Sequence, residues 1–477
     1  MQFIPSRFGA PALFAVTTLA AIAVVACGGS DADPLAVTAD PQLKSAWTEI
    51  GSNNQVIVRA ITGDTACPKI IVDGVQSVMS LRAAASTPAQ RTTASDPADS
   101  KPSVFPVTAC ESTVAATAQA VFAGGRSLPL PKAQPNRIVL LADTGCRMKK
   151  ADNAWQACND GNAWPFATIA ATAAAMKPDL VVHMGDYHYR ENVCPTDVAG
   201  CKDSPWGYGW DTWEADLFKP GAPLLAAAPW VVIRGNHEEC ARAGQGWARF
   251  MDTRPLDATR NCDLAANDST GNFNDPYAVS IGSDTQIIVF DSAKAGTAAI
   301  PTTDARFTAY QNQFKTVATL AAKTGVTSIF ANHHPILAFA PLAGAAPIGG
   351  NAALLPIMST LNATAYYPPG VKLALHGHVH DFQAINFTSD HPATFVTGNG
   401  GDNVDVNLPD PFPATSQPAA GTTLQSITHT NTFGFMVMDR TSSGWLYKAY
   451  TRDGKLLTTC TPSGSKIKCD KTGFLAP

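Results

Sequence analysis

Charge is scarce in this chain: Asp, Glu, Lys and Arg make up 15% of its 477 residues, against ~25% in ordinary globular domains. What charge there is nearly cancels, 34 Lys and Arg against 38 Asp and Glu, for a net of −4. The low charge content excludes a coiled coil and a charge-rich disordered chain. The near balance excludes a nucleic-acid partner, or an anionic membrane surface, held by a basic face. No Cys-x-x-Cys pair occurs, so a thiolate metal site has no anchor. No internal repeat at ~20–50 residues marks a solenoid. Beyond residue 26 no apolar run reaches the ~20 residues of a membrane span. The length, with 45% hydrophobic residues, is enough for two or three domains and a large core.

What is present begins with a leader-like segment. Arg7 is the only charge before Asp31, and residues 10–26 form an apolar run that closes on Val24-Val25-Ala26-Cys27. The run is short for a span and suits the apolar region of a secretory signal. With Gly28-Gly29-Ser30 behind the cysteine it resembles a bacterial lipoprotein signal. That resemblance implies cleavage of residues 1–26, a lipid on Cys27, and a tether over 27–44. Gly28 in place of Asp implies, by the same pattern, the outer membrane. The expectation is an exported protein on the periplasmic or cell-surface side, with the membrane as partner through Cys27.

Setting Cys27 aside leaves an even set of ten cysteines, at 67, 110, 146, 158, 194, 201, 240, 262, 460 and 469. In an exported protein such a set reads as disulfides. Pairing each with its neighbour is the simplest of the many connectivities that the sequence leaves open.

Two regimes follow. Residues 45–130 read as a small β-rich domain: 55–61 and 69–72 are strand-like, with a Gly63-Asp64 turn between them. Residues 85–104, rich in Ala, Ser, Thr and Pro, read as a long exposed loop. From 136 to 455 short apolar runs alternate with helical stretches. The runs are 137–142, 180–184, 230–233, 286–290, 327–331, 372–375 and 394–396, and the helices lie near 163–176 and 305–323. That alternation predicts an α/β fold. Residues 456–477, with Cys460 and Cys469, read as a C-terminal tail.

The chemistry sits at the ends of these runs. Asp143-Thr144-Gly145 follows the first, Gly185-Asp186-Tyr187-His188-Tyr189 the second and Gly235-Asn236-His237-Glu238 the third; Asn332-His333-His334-Pro335 and His376-Gly377-His378-Val379-His380 follow later ones. In open α/β sheets ligands gather at the carboxyl ends of strands. Seven of the ten histidines lie in these segments. Asp, His and Asn without thiolate suit Fe, Zn or Mn. Two such ions can activate water and clamp both oxygens of an in-line phosphoryl displacement.

The ordered set resembles the calcineurin-like metallophosphoesterase superfamily, and within it most resembles the purple acid phosphatases. That likeness implies a four-layer α/β/β/α sandwich. Most of the superfamily carries a metal-binding His where this chain has Gly145. The purple acid phosphatases lack it and carry a tyrosine where this chain has Tyr189, a phenolate donor suited to Fe(III). The resemblance implies one metal held by Asp143, Asp186, Tyr189 and His380, with Fe(III) expected there. It implies a second, Zn, Fe(II) or Mn, held by Asp186, Asn236, His333 and His378. His237 would act on the leaving group or on phosphoryl charge. His334 and Glu238 join it as catalytic candidates, Glu238 by orienting a ligand. Arg147 and Arg190 could face phosphate. The aromatic set Trp206, Tyr208, Trp210 and Trp213 reads as packing, with a wall for an apolar leaving group as the alternative. The expected reaction is hydrolysis of a small phosphate monoester by a metal-bound hydroxide. A phosphodiesterase or nucleotide hydrolase using the same two metals is the alternative.

Overall fold

The computed structural model describes residues 38–92 and 95–476. The expected leader, 1–26, and Cys27 lie outside the described residues. Two sheets dominate. One has eleven strands, in the order Lys466–Cys469, Leu456–Ser463, Gly444–Thr451, Gly434–Thr441, Arg137–Leu141, Leu180–His183, Trp230–Val232, Leu43–Ile50, Val56–Thr62, Thr108–Val114, Ser80–Ala83. The other has eight: Tyr277–Ser280, Thr285–Val289, Thr327–Ala331, Val371–His376, Ala393–Thr397, Phe382–Phe387, Leu424–Thr430, Gly473–Phe474. The centre of each sheet is parallel.

The apolar runs explain the layering. Side chains alternate across a strand. Ile138 and Leu140 enter one buried cluster while Val139 and Leu141 enter another. In the second sheet Ile287 and Ile329 join the first of these clusters, and Ile288 and Phe330 enter a third. The shared cluster is the seam where the two sheets face each other. The second cluster holds Phe166, Ile169 and Ala173 of the helix Phe166–Ala175. The third holds Phe307, Phe314 and Val317 of the helix Ala305–Ala321. A strand apolar on both faces must be covered on both, and the result is the expected four-layer α/β/β/α sandwich.

The stretch 45–130 is β-rich as expected, but most of it is not set apart. Leu43–Ile50 pairs parallel with Trp230–Val232 through Glu49 and Trp230, so four of its strands continue the first sheet. Four others form a small sheet that packs on these through a shared buried cluster, Ile70, Val121 and Leu128 against Val58, Ala60 and Val114. Residues 38–44, assigned to the tether, are already folded: the Asp40 N–H donates to Gly124 O at 3.0 Å, and Leu43 is buried. The expected tail is likewise built in. Two of its strands extend the first sheet and Gly473–Phe474 closes the second. The 85–104 loop is exposed only in part, since Ser103 is buried and Asn192 donates to Asp99 at 3.0 Å.

All five neighbour disulfides form: Cys67–Cys110, Cys146–Cys158, Cys194–Cys201, Cys240–Cys262 and Cys460–Cys469. Three of them brace the loops that follow the first three motif strands.

A buried ionic layer joins the early strands to the helix Gly244–Phe250 and the turn that follows it. Arg82 donates to the carbonyls of Ala248, Arg249 and Asp252 at 2.7–3.0 Å, and Arg59 donates to Asp252 O at 2.6 Å. The Asp252 carboxylate takes Arg254 at 2.7 Å. Burial alone would raise its pKa, but Arg254 and Arg82 outweigh burial and hold it at about 2, against an ordinary 3.8. A depressed acid stabilises the fold above its unfolded pKa and loses that contribution as pH falls through the folded one. Asp252→Asn is therefore expected to cost about 2 kcal/mol at neutral pH and nothing below pH ~2. Urea titrations of both proteins across pH would check this.

Candidate metal centre

Five strand ends meet at one edge of the sandwich. Asp143 follows Arg137–Leu141, Asp186 follows Leu180–His183, and Asn236 with His237 follows Trp230–Val232. His333 follows Thr327–Ala331, and His378 and His380 follow Val371–His376. Asp143, Asp186 and His378 all have positive φ, at 57°, 56° and 69°. Such backbone is tolerated by Asp and His where the surroundings over-determine it, as at functional sites.

The donors form two groups that share Asp186. Around the Tyr189 oxygen lie Asp143 Oδ1 at 2.8 Å, Asp186 Oδ2 at 2.8 Å and His380 Nε2 at 3.0 Å. Around His333 Nε2 lie Asn236 Oδ1 at 3.0 Å, Asp186 Oδ2 at 3.1 Å and His378 Nδ1 at 3.3 Å. Asp186, His333 and His378 offer ligand atoms all within 4.8 Å of one another. Two buried carboxylates, a phenol, an amide oxygen and three imidazoles converge here. Such a cluster has more acceptors than its own protons satisfy, and a pair of cations fits it chemically.

Electrostatics points the same way. Burial disfavours a charged imidazole, yet Asp186 and Asp143 raise the pKa of His333 to about 9. Against the same burial penalty, Asp402 and Asp143 raise that of His380 to about 10. Burial and the adjoining carboxylates push the Tyr189 phenol well above its ordinary value. Only a strong positive charge at this spot would draw a phenolate from it.

Glycines make room for the cluster. A Cβ on Gly377 would lie 2.6 Å from Asp143 Oδ2, and one on Gly235 would overlap Asp186 Oδ1. Gly145 is packed too: a Cβ there would meet Tyr187 O and Tyr189 N at 2.8 Å and Asp216 Oδ2 at 2.9 Å. The segment that delivers Tyr189 therefore occupies the space a first-motif histidine would need.

The other candidates fall into distinct places. His237 Nδ1 lies 2.7 Å from Glu191 Oε1 and 2.6 Å from an Arg242 nitrogen, and its Nε2 faces Asp186 Oδ2 at 3.8 Å. Burial, with Arg242, lowers its pKa to about 3. The His334 Nδ1 lies 3.1 Å from Ser292 Oγ, and the residue lines a cleft with Asn236 and His378. Burial and the neighbouring His333 lower its pKa to about 3. Glu238 does not face the cleft. Its Oε2 accepts the N–H groups of Asp186 and Gly235, both at 3.0 Å, and its Oε1 those of Tyr187 at 2.9 Å and His188 at 3.2 Å.

The two arginines considered for phosphate are both tied to carboxylates, and Arg147 also lies over the Tyr189 ring, 4.9 Å from its centroid, with a nitrogen 3.5 Å from His380 Nε2. Arg190 Nε donates to Asp216 at 2.6 Å, and Arg147 is shared by Asp402 at 2.6 Å and Asp152 at 2.7 Å. Of the aromatic set, Tyr208, Trp210 and Trp213 are core residues.

Several supporting groups escaped the sequence reading. Glu191 and Arg242 hold His237. Asp216 accepts the Tyr189 N–H at 2.8 Å, and Asp405 accepts that of His380 at 2.8 Å. Glu191 lies two residues past Tyr189, a signal that could have been used. Asp216 lies in a separate helical segment, and no spacing marks it.

A layered α/β/β/α sandwich with a carboxylate–imidazole cluster at its gathered strand ends defines the class of metal-dependent phosphoesterases. The chain belongs to the calcineurin-like phosphoesterase family, whose profile matches residues 136–382. Among solved structures it is similar to purple acid phosphatase PPD1 from yellow lupin (Lupinus luteus) seeds, with a TM-score of 0.50 and 13% identity over 87% of this chain and 73% of that one. It is equally similar to PhoD, with a TM-score of 0.50 and 12% identity over 90% and 92%. At those identities the likeness is one of fold. No curated protein matches the sequence.

Proposed function

We propose that this phosphoesterase is a phosphatase that hydrolyses small phosphate monoesters. One observation carries the two-metal part of the reading: the donor groups around Tyr189 and His333 share Asp186, as a pair of neighbouring cations would require, while the monoester preference rests on the resemblance to purple acid phosphatases. Asp143, Asp186, Tyr189 and His380 would hold one ion, Fe(III) by the phenol's chemistry. Asp186, Asn236, His333 and His378 would hold the other, Zn, Fe(II) or Mn. Metals held there would supply Lewis acidity and would activate a water. The chain's own groups do the rest. His237, steadied by Glu191 and Arg242, offers Nε2 to the phosphoryl group and its departing oxygen. His334 lines the cleft beside the second donor group. Glu238 holds the backbone that presents Asp186.

The test is a panel of phenyl phosphate and bis(p-nitrophenyl) phosphate across pH, with and without a chelator. Faster turnover of the monoester, lost on chelation and restored by iron with zinc or manganese, is the expected result. A clear preference for the diester would overturn the monoester assignment.

The Fe(III) assignment has its own test. A tyrosinate on Fe(III) gives a visible charge-transfer band, so the protein is expected to be purple or pink and Tyr189→Phe colourless. Metal analysis showing no iron would defeat it.

Export and anchoring belong to the same reading and rest on Cys27 and the apolar run before it. Labelled palmitate is expected to enter the wild-type protein and not Cys27→Ser.

A further inference from the structure

Beside the second donor group lies a cleft of about 290 Å³, lined on its floor by Asn236, His334 and His378. Its far wall comes from the segment between the Thr285–Val289 strand and the Ala305–Ala321 helix. That segment is built of small residues: Ala293, Gly296 and Thr297 line the cleft, and nothing lies within 4 Å of where a Cβ on Gly296 would sit. Lys294 and Arg306 also line it. Glu239 holds Lys294 Nζ at 2.5 Å and Asp304 holds Arg306 at 2.7 Å, which fixes both side chains, while 34% and 36% of each stay open to solvent. The cleft's third cation, Arg242, is met by buried Glu191. Each of the three cations is thus paired with one carboxylate, but of those carboxylates only Glu239 lines the cleft, so it is the cationic side chains more than their partners that present N–H groups to it.

Resting on the phosphatase reading above, we propose that Lys294 and Arg306 form a specificity site for a second anionic group. The preferred substrate is a small phosphate ester whose leaving group itself carries a phosphate or carboxylate. The scissile phosphoryl group would occupy the donor cluster. The leaving group would lie along the low wall, with its distal anion against the two cations. Fixed, part-exposed cations discriminate a charged group from a neutral one modestly each and more as a pair.

The test uses three esters on one skeleton: phenyl phosphate, 4-carboxyphenyl phosphate and 1,4-phenylene bisphosphate. For the wild-type protein kcat/KM should be at least fivefold higher for the two charged esters, mainly through KM. In Lys294→Ala/Arg306→Ala that ratio should collapse toward one, and Lys294→Arg/Arg306→Lys should keep it. A melting curve of each variant separates misfolding from lost recognition. If the wild type turns over all three esters with ratios under fivefold, or the alanine pair keeps the preference, the specificity site is refuted and the phosphatase reading stands. If the metal-loaded wild type turns over none of them, the phosphatase reading itself fails.

Discussion

Asp186→Asn is expected to lower monoester turnover by at least about a thousandfold and to leave the fold intact. Asp186 Oδ2 lies within hydrogen-bond distance of both Tyr189 and His333, so it belongs to both donor groups. An amide keeps the size of the carboxylate but removes the negative charge that lets two cations sit close together. Losing one preorganised electrostatic group costs ~10²–10³ in rate, and here the loss reaches both ions. The fold should survive because the residue sits at φ 56°, a region that Asn tolerates about as well as Asp. Metal content, rate and melting temperature would be measured together, with Asn236→Ala as a companion that should affect one ion only. Near-normal turnover in both variants would refute the assigned site.

Glu238→Gln is expected to destabilise the protein by about 3 kcal/mol and to weaken metal retention, with activity recovering in excess metal. The side chain is fully buried, and both its oxygens accept, from four backbone N–H groups in all. Glutamine offers one acceptor oxygen and turns its NH₂ toward two donors, leaving them unsatisfied at ~1–3 kcal/mol each. Those donors include the N–H of Asp186 itself, so the loop that presents the shared carboxylate loosens. Denaturant midpoints and metal titrations would read this directly. A large rate loss with unchanged stability and metal affinity would instead give Glu238 a part in the chemistry.

The sequence made the donor set legible because each member follows an apolar strand within a few residues. A strand end is a local feature: chain direction and parallel pairing carry Asp143, Asp186, Asn236, His333 and His380 to one edge without further information. The neighbour disulfides were the simplest pairing, but the sequence left other connectivities open, and the structure chose among them. Glu238 was legible as part of a motif, but its direction was not. Whether a buried carboxylate points at a cleft or back into its own loop depends on which N–H groups surround it, and these come from two separate strand ends.

The composition and the order of motifs, taken alone, pointed to the α/β class and to the Asp, Tyr, Asn and His donors that the structure brings together. They did so because alternating apolar runs and strand-end ligands act over a few residues. Only the tertiary structure decided that Leu43–Ile50 and the last strands belong to the catalytic sheets, through pairings such as Glu49 with Trp230. It alone tied Asp216 to the Tyr189 backbone and Glu191 and Arg242 to His237. It also explained Gly145: the Tyr189 segment packs against it and excludes any side chain. Those relations join residues tens to hundreds of positions apart, where packing and hydrogen-bond satisfaction choose the partners and local pattern has no say.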